Sequence, residues 1–273
     1  MKSAVRSSLF TLLDLTVVAV IAITMSSMFP AFNFVRSHPQ IIQKAAIVFT
    51  FLAPLILWAA CRRADSDRPR IFVRRALALT LLVFAFANLA DKIFTGGKAD
   101  TVLPMQLCDW VLYAVAAALW FRWQIGFELG YFWGLAGTIQ ALITPAFDMT
   151  EVWWRLFGFF FIHALIVVSV LHLLITERCR PWPRSLLRVF VCSEIYVAAA
   201  LLVNAATGGG NYGFLSHRPA QATLLDRFSD THWLYVAQIN GLALLLFPAL
   251  YLPWWIWDLA VKARRETAPI PPA

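Results

Sequence analysis

Two side chains in this sequence have the types that acyl transfer requires, Cys108 and His163. An imidazole can take the proton of a thiol, and the resulting thiolate can hold an acyl group as a thioester. The other cysteines, Cys61, Cys179 and Cys192, fall near the opposite ends of their segments, and no Cys-x-x-Cys spacing occurs, so Cys108 has no predicted disulfide partner. The bland reading of a buried free thiol is a small hydrophobe. Against it, Pro104 suits the first turn of a helix and Cys108 follows about one turn deeper, where the helix N-terminus still weakly favours a thiolate. On such a helix Gln106 points about 160° away from Cys108, Asp109 about 100° away, and Leu112 shares its face. Gln106 is therefore expected to act only indirectly.

The elements that carry these residues must live in lipid. The 273 residues are 60% hydrophobic and 14% charged, with mean hydropathy +0.70, whereas soluble domains are roughly a quarter charged. Apolar runs predict spans over Leu9 to Phe29, Ile41 to Cys61, Ala76 to Phe94, Leu103 to Phe121, Ile125 to Thr144, Trp153 to Ile175, Leu186 to Ala206 and Trp233 to Trp257, each near the ~20 residues a bilayer demands. The expected fold is all-α, a polytopic transmembrane helix bundle of about eight spans, with seven as the alternative. Residues 1–267 read as one transmembrane domain, and 268–273 as a disordered Pro-rich tail. The first apolar run is too long for a signal peptide and carries Asp14, so it is expected to remain attached.

The net charge of +8 does not read as a nucleic-acid footprint, because the basic residues are spread through short loops. With both termini in the cytoplasm, 16 of the 23 Lys and Arg fall inside, as the positive-inside rule asks. The excess of arginine over lysine suggests a GC-rich bacterial genome and hence the cytoplasmic membrane. Trp110, Trp153, Trp154, Trp233, Trp254, Trp255 and Trp257 lie near span ends and read as interfacial anchors.

This topology gives depths. Cys108 lies about 8 Å below Leu103 and His163 about 15 Å below Trp153, a mismatch that boundary error and tilt can absorb. Gln140, Asn88, Asn204 and Asn240 fall in the same outer half, so a polar pocket facing outward is expected. The same groups could instead satisfy one another across helices with no chemistry, each bond contributing a modest ~0.6 kcal/mol. Gly130, Gly134, Gly137 and Ala141 form a small-residue face for close helix packing, and Tyr131, Phe132 and Trp133 read as core or lipid contacts. Glu194 is a candidate partner for Arg188. No spacing among Cys108, His163 and His217 matches a zinc pattern, so neither metal nor cofactor is expected. A proton-coupled transporter using Asp14, Glu128 and Glu194 is a rival reading, and a structural subunit of a membrane complex a third.

Several stretches together resemble the YwaF-like, transmembrane protein 164-like family: Leu103-Pro-Met-Gln-Leu-Cys108, Phe132-Trp-Gly-Leu-Ala-Gly-Thr-Ile-Gln140 with Thr144-Pro145, His163, and Asn211-Tyr-Gly-Phe-Leu215. The resemblance covers roughly residues 76–257. It implies a phospholipid acyltransferase in which the motif cysteine, here Cys108, carries the acyl group and a later histidine, here His163, accompanies it. One departure is that bacterial members tend to have a histidine at the start of the first span, where this chain offers Asp14. The resulting expectation is a lipid acyltransferase or acyl-ester hydrolase with Cys108 as nucleophile and His163 as general base. Gln140 or Asn211 would steady the oxyanion, with Tyr212, Asp109, Gln106 and Asn204 in support. The expected partner is a membrane lipid, while oligomeric state is left open. The alternative is a non-catalytic lipid or small-solute binder or transporter.

Overall fold

The computed structural model describes residues 38–63, 66–149 and 151–266. The predicted span Leu9 to Phe29 and the tail 268–273 lie outside them. Every regular element among the described residues is helical: α1 Pro39–Arg62, α2 Arg68–Phe94, α3 Ala99–Val102, α4 Leu107–Phe121, α5 Gln124–Leu129, a π-helical segment Gly130–Thr138, α6 Ile139–Ile143, α7 Trp153–Ile175, α8 Pro183–Thr207 and α9 His232–Glu266. Proline at the first turn starts α1, α2 and α8, where its missing N–H costs nothing.

Among the described residues, five helices are long and apolar enough to cross a membrane: α1, α2, α7, α8, and α9 as far as Lys262. The two predicted spans between them take other forms. The one expected from Leu103 begins instead at Leu107, because Leu103 is extended (φ −60°, ψ 140°), as the residue before a proline prefers to be. Its 15 residues rise only about 22 Å. Pro104 therefore sits before the helix, and Cys108 lies within the first turn rather than a turn below it. The one expected over Ile125 to Thr144 runs as α5, the π segment and α6 in sequence. Its π winding is seen where the Ile139 N–H donates to the Gly134 carbonyl, five residues back.

That winding revises the small-residue face. A Cβ at Gly130 would lie 2.5 Å from Val115 Cγ2, so α4 does approach closely there, but at Gly137 the nearest atom is Leu107 Cδ2 at 3.8 Å. Gly137 faces a cavity instead.

The most buried helix is α7. Phe160, His163, Ile166, Val167 and Val170 are all at or near zero exposure, and α7 packs against α1, α2, α4 and the π segment. Phenylalanine, valine and isoleucine all round a helix are what a central position requires. Outward faces such as Val48, Phe51, Leu52 and Ile56 on α1 are exposed, as lipid-facing residues are.

Two sequence expectations change here. Arg188 pairs with the fully buried Glu128, not with Glu194; Ser185 and Gln124 also donate to Glu128 Oε1, at 2.7 and 2.9 Å. Trp154, Trp233, Trp255 and Trp257 are exposed as anchors should be, but Trp110 packs on Tyr196 and Trp254 donates to Tyr131 Oη at 3.1 Å. Those two are interior contacts.

Candidate active site

Cys108 is the second residue of α4. Its helix is capped by Gln106, whose N–H donates to the Asp109 carboxylate at 3.1 Å, as a residue at the third helical position can arrange. Asp109 is thus a capping residue that holds the first turn carrying the thiol.

His163 projects from the middle of α7. Its Nδ1 lies 2.6 Å from the Phe159 carbonyl, and its Nε2 lies 3.2 Å from Cys108 Sγ. A carbonyl only accepts, so Nδ1 carries a proton, and in the neutral imidazole Nε2 then presents its lone pair to the thiol. The Phe159 ring packs on the imidazole, centroids 4.2 Å apart, which holds the ring plane. In that tautomer the thiol donates to an oriented base. The depth mismatch of about 7 Å read from the sequence vanishes because α4 starts four residues late, with its first turn sunk into the bundle.

What holds that turn down is the loop after α8. Tyr212 is buried; its Oη accepts from the Leu103 N–H at 3.0 Å and donates to the Ala99 carbonyl at 2.8 Å. Asn204 clamps the loop from the other side, accepting from the Tyr212 N–H at 2.8 Å and donating to the Tyr212 carbonyl at 3.1 Å. The Gly213 N–H donates to Gln106 Oε1 at 3.0 Å. Burial raises the Tyr212 phenol above its ordinary pKa, more than its bond from the Leu103 N–H lowers it, so it stays a neutral donor across the working pH range.

Gly213 has φ +67°, and an added Cβ would lie 2.7 Å from Tyr196 Oη. Tyr196 Oη in turn donates to the Met105 carbonyl at 3.1 Å, so the whole linker before Cys108 is tied to this loop. Gly213→Ala is expected to cost about 1–2 kcal/mol from the left-handed backbone and to free Gln106. Thermal unfolding in detergent checks the first effect, and the Cys108 alkylation rate the second.

A cavity of about 1330 Å³ opens at the pair. Its walls come from α2, the first turn of α4, the π segment, α7, α8 and α9. They are chiefly apolar, so the outward polar pocket expected from the sequence is here an apolar cavity with polar groups gathered at Cys108 and at one end. Gln106, Asp109, Gln140, Asn88 and Asn240 line it. Gln140 Nε2 is 2.5 Å from Thr144 Oγ1. Asn211 is not among the lining residues; its side chain holds the Ser216 and His217 N–H groups, each at 3.1 Å, and donates to the His217 carbonyl at 2.9 Å. His217 belongs to that loop turn and stands apart from the pair. Among the described residues no group of three His, Cys, Asp or Glu side chains is arranged to hold a metal ion.

Sequence reasoning missed several lining residues, and their signals were ambiguous. In the sequence Arg155 looks like any charge at the end of a span. Its Nε donates to Asp91 at 2.7 Å, its Nη2 to Thr95 at 3.1 Å, and its Nη1 lies 3.4 Å from Glu151. These four residues line the polar end of the cavity together with Lys92.

The architecture has no counterpart among the comparisons, since no curated protein and no solved structure matches the chain. The segment that does find a match, residues 33–251, contains the linker, the π segment, α7 and the clamping loop that build the site; the model it matches is that of the TMEM164 family, and the chain belongs to that family.

Proposed function

We propose that this membrane protein is a lipid acyltransferase or acyl-ester hydrolase working through a Cys108 thioester. The observation that carries this reading is the Nε2 atom of His163 facing Cys108 Sγ at 3.2 Å while Nδ1 is tied to the Phe159 carbonyl. His163 accepts the thiol proton as sulfur attacks the ester carbonyl. When the tetrahedral adduct collapses, the C–O bond breaks, the thioester forms, and His163 returns the proton to the departing alkoxide. In the second half the imidazole takes a proton from a lysolipid hydroxyl or water, whose oxygen displaces the thiol. The first helical turn supplies the Cys108 amide N–H, which precedes the intrahelical ladder, as one oxyanion donor. Gln106 supplies the other through Nε2, because its Oε1 is held by Gly213; Gln140 lines the far wall.

The shape of the cavity supports a lipid substrate. Phe84 of α2 packs on Phe161 at a tilt of 38°, centroids 4.8 Å apart, and Phe161 is two residues from His163, so Phe84 marks the level of the reactive pair to within about 3 Å. From there the Arg155–Asp91 end lies about 10 Å away and Phe72 about 18 Å away in the opposite direction. A headgroup at the charged end would leave the ester near the thiol and a chain among apolar side chains. The positive-inside count supports an outward-facing charged end in the cytoplasmic membrane, with both termini cytoplasmic.

The test is intact-protein mass spectrometry after incubation with phospholipids bearing isotopically labelled acyl chains. A hydroxylamine-sensitive adduct on Cys108 is the expected result. Its absence across lipid classes, with saturable lipid binding retained, would leave the non-catalytic binder in its place.

A further inference from the structure

One face of α2 lines the cavity along nearly its whole length, through Phe72, Ala76, Leu79, Val83, Ala87 and Asp91, a helical spacing of three and four residues. It runs from the charged end past the level of Cys108 and continues beyond it. Gly158 of α7, between the levels of Asp91 and Phe84, also lines the cavity, and a Cβ there would meet nothing within 4 Å, so the space between the charged end and the reactive pair is open.

Two contacts fix the registration of α2 against its neighbours. Arg155 meets Asp91 and Phe161 meets Phe84, so α7 runs antiparallel to α2 in step with it. At the other end the Arg75 guanidinium lies over the Trp120 ring, 5.5 Å from its centroid, so α4 descends beside α2 as well. Below the reactive pair, the cavity therefore has a measurable length along α2. Ala76 lies about 12 Å from the Phe84 level and Phe72 about 18 Å.

We infer that this stretch of α2 is the acyl-chain channel, and that Ala76 and Phe72 set the length of chain that can be carried on Cys108. The inference rests on the thioester reading above. An extended chain advances about 1.2 Å per bond, judging by the three-bond residue repeat of a peptide, so about 10 carbons reach Ala76 and about 15 reach Phe72. A methyl side chain at position 76 leaves the path open where a larger one would close it. Phe72 stands at the far end as a partial stop, itself 42% exposed. The channel exceeds the ~15 Å of one leaflet of hydrocarbon, so it holds a chain of membrane length.

The closing experiment offers the intact protein in detergent a series of diacyl phosphatidylcholines with 8, 12, 16 and 18 carbons per chain. Cys108 adduct formation is followed by mass spectrometry for wild type, Ala76→Trp and Phe72→Ala. Wild type is expected to accept all lengths through 16 carbons. Ala76→Trp should keep 8-carbon labelling within about twofold and lose 16-carbon labelling at least tenfold, while Phe72→Ala should raise 18-carbon labelling relative to 16. The opposite directions of the two variants separate a channel effect from a folding defect. A chain-length profile unchanged in both variants, or depressed equally at all lengths, overturns the channel while leaving the thioester intact. A wild type that labels with no chain overturns the thioester reading and the channel with it.

Discussion

Cys108→Ala is expected to abolish acyl-adduct formation and to lower lipid turnover by at least ~10³-fold, because removal of a covalent nucleophile leaves only binding and oxyanion stabilisation. The thiol is half-buried, and its burial neighbours are the imidazole and the first turn of α4. Its loss removes one weak hydrogen bond and a small volume, so stability should change by no more than about 1–2 kcal/mol. Lipid binding in the cavity should survive, since the walls along α2, α7 and α9 are untouched. Turnover by wild type and variant on the same phospholipid, together with their melting in detergent, checks this. A variant that turns lipid over at the wild-type rate would remove Cys108 from the chemistry.

The second large effect belongs to His163. His163→Gln keeps a polar side chain of comparable reach but cannot accept a proton at neutral pH. General-base catalysis contributes roughly 10²–10⁴-fold, and acylation of Cys108 should fall by that factor. The pH dependence carries the sharper signature. Without the imidazole, only the spontaneously ionised thiol reacts, so the residual rate should rise in proportion to hydroxide over the range in which the thiol is protonated. The wild-type rate should rise less steeply, since the base is supplied by the protein. Single-turnover acylation measured at several pH values distinguishes the two cases. Parallel pH profiles would reduce His163 to a packing partner of Phe159.

Much of the architecture was legible in hydropathy, because a chain in lipid must satisfy its backbone within each helix and announce each one as a long apolar run. α1, α7 and α8 begin and end within three residues of their predicted positions, whereas α2 starts eight residues early, at Arg68, and α9 runs nine residues past Trp257 to Glu266, because a helix continues through the charged residues beyond the apolar run. The two elements that were misread, the late start of α4 and the π winding of Gly130–Thr138, are places where apolar content stays high while the backbone departs from α-helix. Hydropathy is blind to that difference. Pro104 was a true signal with the wrong consequence: it fits a first helical turn, yet it also extends the residue before it, and the clamp by Tyr212 and Gly213 selects the second outcome. The angular argument for Gln106 assumed a helical residue, whereas Gln106 is the extended cap before the helix, so the 100° repeat does not apply to it.

Arg188 chose Glu128 over Glu194 because the α5–α8 packing buries Glu128 completely, and a buried carboxylate must be paired. Sequence proximity to Arg188 favoured Glu194, but a pairing between helices depends on which faces meet. The charged end of the cavity was hidden in a similar way: Asp91 lies near the end of α2, 60 residues or more from Glu151 and Arg155 around the start of α7, and each looks alone like an interfacial charge.

By itself the sequence determined that this is a helical membrane protein of a recognisable family, because hydrophobic run length and ordered short motifs are properties of the chain alone. It also singled out Cys108 and His163 as residue types with reactive potential. Only the tertiary structure decided that they meet at 3.2 Å, which nitrogen faces the sulfur, and that the cavity beside them is lined by one face of α2. Those outcomes depend on the relative heights and rotations of helices far apart in sequence. Both are set by packing and by a loop clamp rather than by any local pattern.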